Sequence, residues 1–175
     1  LGRVHGKEAL VHLKLPMSVP DQTRRMIEVL CVNLKVGFEN VILFERLNFF
    51  AYFDPLTRLP NRTRFLDSLD DRLKTPHGKG WTLGIIDIVR FSELNDALGH
   101  RSGDLLLVEV THRLQAHVGP NALVARVAGD AFGICWQPDE NGARSILDVF
   151  SAPFVVRSHS IPMRARAGFV DVEPV

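Results

Sequence analysis

A chain of 175 residues, 46% hydrophobic and 23% charged, is long enough for one domain with a proper core plus an appendage, or for two small domains. Its formal net charge of +1 provides no overall field to draw it to nucleic acid or to an anionic membrane. Cys31 and Cys135 show no CxxC or Cys/His ligand spacing, no apolar run reaches membrane-spanning length, and no signal peptide is recognisable, which points to a reducing, cytoplasmic setting without membrane contact. Opening on Leu1-Gly2 and stopping at Val175, the sequence reads as a piece of something larger.

Residues Glu8 to Leu15 alternate, with Val11, Leu13 and Leu15 on one side and His12 and Lys14 on the other, which predicts a strand. Pro16 and Pro20 break it, and Asp21 is a suitable N-cap for a helix beginning at Gln22. From Gln22 to Tyr52 there is no proline, and Ile27, Leu30, Leu34, Gly37, Val41 and Phe44 recur at spacings of three and four, a coiled-coil-like seam. Such a helix is about 45 Å long at 1.5 Å per residue. One reading is a dimerising, signal-carrying helix between an upstream sensor and a downstream output domain. The other is a core helix packed on its own chain, its stripe widened by Met26 and Phe38. A sustained seam with few caps favours the partner helix.

Asp54-Pro-Leu-Thr-Arg-Leu-Pro-Asn-Arg62 is a rigid turn bracketed by two prolines, and Asn61 caps a helix whose face is Phe65, Leu66, Leu69 and Leu73. After a loop over Thr75–Gly80, the apolar run Trp81–Ile88 fits a buried strand ending near the carboxylate of Asp87. Helical spacing over Phe91–Leu98 stops at Gly99-His100, and Gly103-Asp104 opens a second helix with Leu107, Val110, Leu114 and Val118 on one face. Two apolar runs, Ala122–Ala125 and Ile134–Trp136, flank Arg126-Val-Ala-Gly-Asp-Ala-Phe-Gly133 and predict a hairpin. A helix near Asn141–Phe150 and strands at Pro153–Val156 and Ile161–Val172 complete the chain.

Two carboxylates stand out: Asp87 near a strand end and Asp130 at the hairpin tip, beside Gly129, whose missing side chain leaves room for a phosphate. If the two strands are neighbours, both acids meet at one sheet edge. Such a pair, with backbone carbonyls, suits Mg²⁺ carrying a nucleoside triphosphate. The structural alternative is that Asp87 caps a strand and Asp130 forms a turn.

The pieces Asp54-Pro-Leu-Thr-Arg-Leu-Pro-Asn-Arg62, Asp87-Ile-Val-Arg-Phe-Ser-Glu-Leu-Asn-Asp96, Leu98-Gly-His-Arg-Ser-Gly-Asp104 and Arg126-Val-Ala-Gly-Asp-Ala-Phe132 resemble, in order and spacing, the GGDEF domain of diguanylate cyclases and their inactive relatives. The resemblance covers about Phe53 to Val172. It implies an α/β (α+β) fold, an antiparallel-containing sheet like the palm of nucleotidyl cyclases, wrapped by helices and preceded here by the long N-terminal helix. Active members dimerise, each domain holding one GTP, and make cyclic di-GMP. The implied division is residues 1–20 as the tail of a GAF- or PAS-like sensor, 21–53 as a signalling and dimerisation helix, and 54–175 as a degenerate, C-terminally truncated GGDEF domain of a bacterial signalling protein.

By the same resemblance, Asp87, the Ile88 carbonyl and Asp130 are the metal contacts for Mg²⁺ with GTP, and Asn95, Asp104 and Gly129 are nucleotide contacts. The signature, however, reads Ala128-Gly129-Asp130-Ala131-Phe132. Ala131 stands for the glutamate most tied to metal placement, Ala128 for the first glycine, Val89 for a second aspartate and Ser92 for a frequent lysine. Gly119-Pro-Asn-Ala122 occupies the place of the inhibitory RxxD product site, so product feedback is not expected. Two-metal phosphoryl transfer needs charge at both attacking and leaving oxygens, and losing one such contact costs about 3–4 kcal/mol, several hundredfold in rate. The resemblance therefore implies an impaired regulatory domain that dimerises through the long helix, binds GTP and controls a neighbouring domain such as an EAL phosphodiesterase. The alternatives are a weak cyclase and a dimerisation module that ignores nucleotides.

Overall fold

The computed structural model describes residues 2–4, 7–9, 20–74, 80–137 and 142–172. The chain divides into two compact units, Leu1–Phe50 and Ala51–Val175.

In the first unit, strands β1 (Gly2–Val4) and β2 (Lys7–Ala9) pair antiparallel, with Arg3 opposite Glu8. The expected strand over Glu8–Leu15 overlaps β2 only at Glu8 and Ala9, and its remainder, from residue 10 onward, lies outside the described residues. Helix α1 (Asp21–Tyr52) is continuous over 32 residues, about 48 Å. It starts one residue earlier than expected: Asp21, the expected cap, is already helical, and the Pro20 carbonyl accepts the Arg24 N–H at 3.0 Å. No α1 side chain is buried; along the seam Leu30, Leu34, Val41 and Phe44 are each more than two-fifths exposed.

The second unit is built on a four-stranded antiparallel sheet of order β4 (Leu123–Arg126), β5 (Ala131–Trp136), β3 (Trp81–Ile88), β8 (Ala165–Val172). β3 runs over the expected residues and alternates as a strand buried mainly on one face must: Thr82, Gly84, Ile86 and Ile88 are buried, whereas Ile85 is exposed. Over the buried face lie α3 (Phe91–Leu98), α4 (His100–Val118) and a 3₁₀ helix, Ala143–Phe150. Their Phe91, Leu106, Leu107, Val110, Leu114 and Ile146 close the main core with Phe132 and Ile134. On the opposite face α2 (Arg62–Leu73) sets Phe65 against Ala125 and Cys135. Gly133 permits that approach, because a Cβ there would lie 2.8 Å from the Phe65 ring.

Three expected boundaries move. α4 begins at His100 rather than Gly103, because Gly99, at φ +80°, ends α3 and lets the next helix start at once. The expected helix over Asn141–Phe150 is a 3₁₀ run beginning at Ala143. The expected strand Ile161–Val172 divides: His159–Ile161 is β7, paired with β6 (Phe154–Val156), and β8 starts only after Pro162, which lacks the N–H a ladder needs. Both cysteines are free, Cys135 buried and Cys31 exposed, and burial pushes the Cys135 thiol upward. No helix among the described residues is long and apolar enough to cross a membrane.

Candidate functional site at the β3 edge

The site is assembled where β3 ends. Pairing with β5 sets Asp87 opposite Ala131, and pairing with β8 sets Asp87 opposite Arg166. Directly opposed residues share a sheet face with their Cβ atoms about 5 Å apart, so the three side chains form a row across the strands. In that row Arg166 Nε donates to Asp87 Oδ2 at 2.7 Å. The hairpin tip is tied to the same edge, since the Ile88 N–H donates to the Asp130 carbonyl at 3.2 Å. The expectation that Asp87 and Asp130 meet at one sheet edge therefore matches the strand order, while the position facing Asp87 carries only a methyl group.

The loop between β4 and β5 is tight. Val127 N–H donates to the Ala131 carbonyl at 2.9 Å, and Ala128 and Ala131 face each other across the turn. Gly129 has no positive φ and no heavy atom within 4 Å of where a Cβ would stand, so the turn itself does not demand a glycine. Ala128 likewise keeps a negative φ and is exposed. The Ala128 methyl group is accommodated without backbone strain.

What holds this loop is a pair that the sequence patterns do not signal. Arg126 Nη1 lies 3.1 Å from both Asp54 carboxylate oxygens, and its Nε and Nη2 donate to the Gly129 carbonyl at 3.1 and 2.6 Å. Asp54 also accepts from the Thr57 N–H and hydroxyl, each at 2.7 Å. Burial alone would raise the Asp54 pKa, but the Thr57 donors and the Arg126 guanidinium outweigh it and hold the carboxyl below its ordinary value. The turn bearing Asp54 is joined to the end of α1, since Asn61 donates from Nδ2 to the Ala51 carbonyl at 2.9 Å and from its N–H to Tyr52. As expected, the Asn61 side chain also caps α2, accepting from Arg64 N–H at 3.1 Å.

The residues expected to contact a nucleotide sit on the two helices beyond β3. Asn95 is on α3, and Asp104, exposed, is on α4 next to Gly103. The Asn95 Oδ1 is buried without a hydrogen-bond partner and packs so closely on Gly103 that a Cβ there would clash with it outright. Gly103 is thus a residue of this site that spacing alone did not single out.

The metal expectation meets a different environment. Asp87 is already held by Arg166, the facing position is Ala131, and no cluster of three His, Cys, Asp or Glu side chains forms among the described residues. Mg²⁺ dehydrates reluctantly and needs free carboxylate oxygens alongside phosphates. Of the expected set Asp87, Ile88 and Asp130, Asp87 has one oxygen, Oδ2, taken by Arg166, so a Mg²⁺ carried by a nucleotide would share that carboxylate with the guanidinium.

Comparison with known proteins adds the relatives. The family profile described as "Diguanylate cyclase, GGDEF domain" matches residues 51–173. The chain is 31% identical over 156 residues to the signaling protein YkoW of Bacillus subtilis, covering 84% of this chain and 19% of that protein. It is 40% identical over 84 residues to the cyclic di-GMP phosphodiesterase NbdA of Pseudomonas aeruginosa, covering 47% of this chain and 11% of that one. Among solved structures, the GGDEF domain of TpbB from Pseudomonas aeruginosa superposes with a TM-score of 0.60 at 31% identity, over 67% of this chain and 74% of that one. The chain therefore spans less than a fifth of the length of YkoW and of NbdA.

Proposed function

The chain belongs to the GGDEF domain family of cyclic di-GMP signalling proteins, and from that premise we propose that it is a catalytically impaired regulatory member, binding GTP without converting it. In this reading it dimerises through α1, takes its signal from an adjacent sensor and controls a neighbouring output domain, an EAL-type phosphodiesterase being one candidate.

The observation that carries the GTP reading is the orphaned Asn95 Oδ1. A buried acceptor left unpaired costs about 1–3 kcal/mol, which a ligand donor recovers. Guanine offers two donors on one edge, its ring N–H and exocyclic amine, and Asp104 on the neighbouring helix supplies a second, charged acceptor. Loss of turnover is supported by the row across the sheet, in which a methyl group and a guanidinium flank Asp87. The dimer is supported by the exposed apolar seam of α1.

Calorimetric titration with GTP and ATP tests the base contacts. GTP is expected to bind more tightly than ATP, whose corresponding ring nitrogen is an acceptor. Asn95→Ala is expected to weaken GTP binding about tenfold, the value of a charge-free hydrogen bond plus its desolvation. Gly103→Ala is expected to do the same by displacing the Asn95 amide, while the helix itself gains up to about 1 kcal/mol in intrinsic propensity. The absence of binding heat at millimolar GTP would remove the nucleotide from the proposal.

A further inference from the structure

We propose that α1 carries a second interface, which joins two dimers of this chain into a tetramer with the helices of one dimer antiparallel to those of the other. The inference goes beyond the proposed function and rests on it only for the pairing of two copies along the seam of Ile27, Leu30, Leu34, Gly37, Val41 and Phe44.

The helix holds a second apolar line. Val29, Val36, Leu43 and Phe50 recur every seven residues, Val32 and Leu47 widen the line, and all six are between 48% and 60% exposed. At about 100° per residue, this line runs about 140° round the helix from the first seam. Pairing two copies along that seam leaves it uncovered, since a two-stranded coil buries a single stripe. The narrower gap between the two lines contains no charged residue; it holds Met26, Asn33, Asn40 and Ala51. Arg24, Glu28, Lys35, Glu39 and Arg46 fall together in the wider gap. A helix with charges gathered on one flank and so wide an apolar arc has neighbours on two sides, as in a four-helix bundle.

Charge selects the occupant of the second line. Glu28, Glu39 and Arg46 flank it, so a parallel copy would set Glu39 against its own equivalent and Arg46 against its own, both repulsive. An antiparallel copy centred near Gly37 instead sets Val32 opposite Leu43 and brings Glu28 to Arg46 and Lys35 to Glu39. Lys35 and Glu39 are available for this: within one helix they stay 3.8 Å apart, too far for a hydrogen bond, and both are more than half exposed. The face is therefore complementary to a second copy of itself. Joined to the first seam, it closes a group of four helices related by twofold axes, which leaves neither line open to recruit further copies.

The test is sedimentation equilibrium of the chain in low and in high salt, with circular dichroism of each variant to verify that the helix persists. Wild type is expected at the mass of four chains, and the double variant Val36→Ser, Leu43→Ser at the mass of two. Glu28→Arg is expected to weaken tetramer formation about tenfold in low salt and far less in high salt, because each antiparallel pair of helices makes the contact twice. Adding Arg46→Glu is expected to restore the tetramer, since the two positions lie about 27 Å apart along one helix and meet only between antiparallel copies. A wild-type dimer that Leu34→Ser with Val41→Ser dissociates, and that the Val36 and Leu43 changes leave intact, would sustain the first seam and overturn this inference. A wild-type monomer would overturn both. A tetramer indifferent to the Val36 and Leu43 changes, or one that the double charge reversal fails to restore, would overturn the second interface as described.

Discussion

Replacing Arg126 by alanine is expected to lower stability by about 2–3 kcal/mol, a fall in melting temperature on the order of 10 °C. The side chain is 14% exposed and its partner Asp54 18%, so removal strands a carboxylate that is largely out of water and releases the Gly129 carbonyl as well. The figure is set below the value for a fully buried pair because both groups keep some solvent contact. Lysine should restore only part of the loss, having no planar fork to span both Asp54 oxygens. The linkage also has a sign. The folded pKa of Asp54 lies below its ordinary value of 3.8, so the pair's contribution is complete above that pH and is lost as pH falls through the folded value. Wild type and Arg126→Ala should therefore converge in stability on the acid side of pH 4, as urea melts at several pH values would reveal. A constant gap down to pH 2 would mean that the Asp54 charge is not what Arg126 holds.

The second large effect concerns turnover. Ala131→Glu restores an acid opposite Asp87, about 5 Å away between Cβ atoms, but leaves Arg166 neutralising that aspartate. On the proposed reading, the single substitution gains little cyclic di-GMP synthesis. Combining it with Arg166→Ala should raise synthesis by about a hundredfold over the parent, within the span one transition-state electrostatic contact commands. Chromatography of the products formed from GTP and Mg²⁺ reads this directly. Equal yields from the single and double variants would show that Arg166 does not obstruct the site.

Much of this architecture could be read from the chain because local pattern and tertiary role agree. The β3 run, the Asn61 cap, the apolar face of α4 and the hairpin around Gly129 each carry their signal within a few residues. The determinants that were not legible are long-range or depend on one backbone angle. Arg126 reaches Asp54 across 72 residues, and Arg166 reaches Asp87 across 79, and no periodicity announces either pairing. Gly99 allowed α4 to start early through a positive φ, whereas Gly103, expected to open the helix, lies inside it under the Asn95 amide. Pro162 divided a run that hydrophobicity alone joins. Motif spacing thus located the β3 edge, but the charge that holds Asp87 came from Arg166 on β8, which no motif marked.

The central claim, a guanine-binding fold that no longer joins nucleotides, is tested most directly by incubating the protein that carries this chain, in excess over GTP, with Mg²⁺ and following cyclic di-GMP with time. The expected result is unchanged GTP throughout. Conversion at the rates ordinary for enzymes, about 1–10³ per second, would contradict the account.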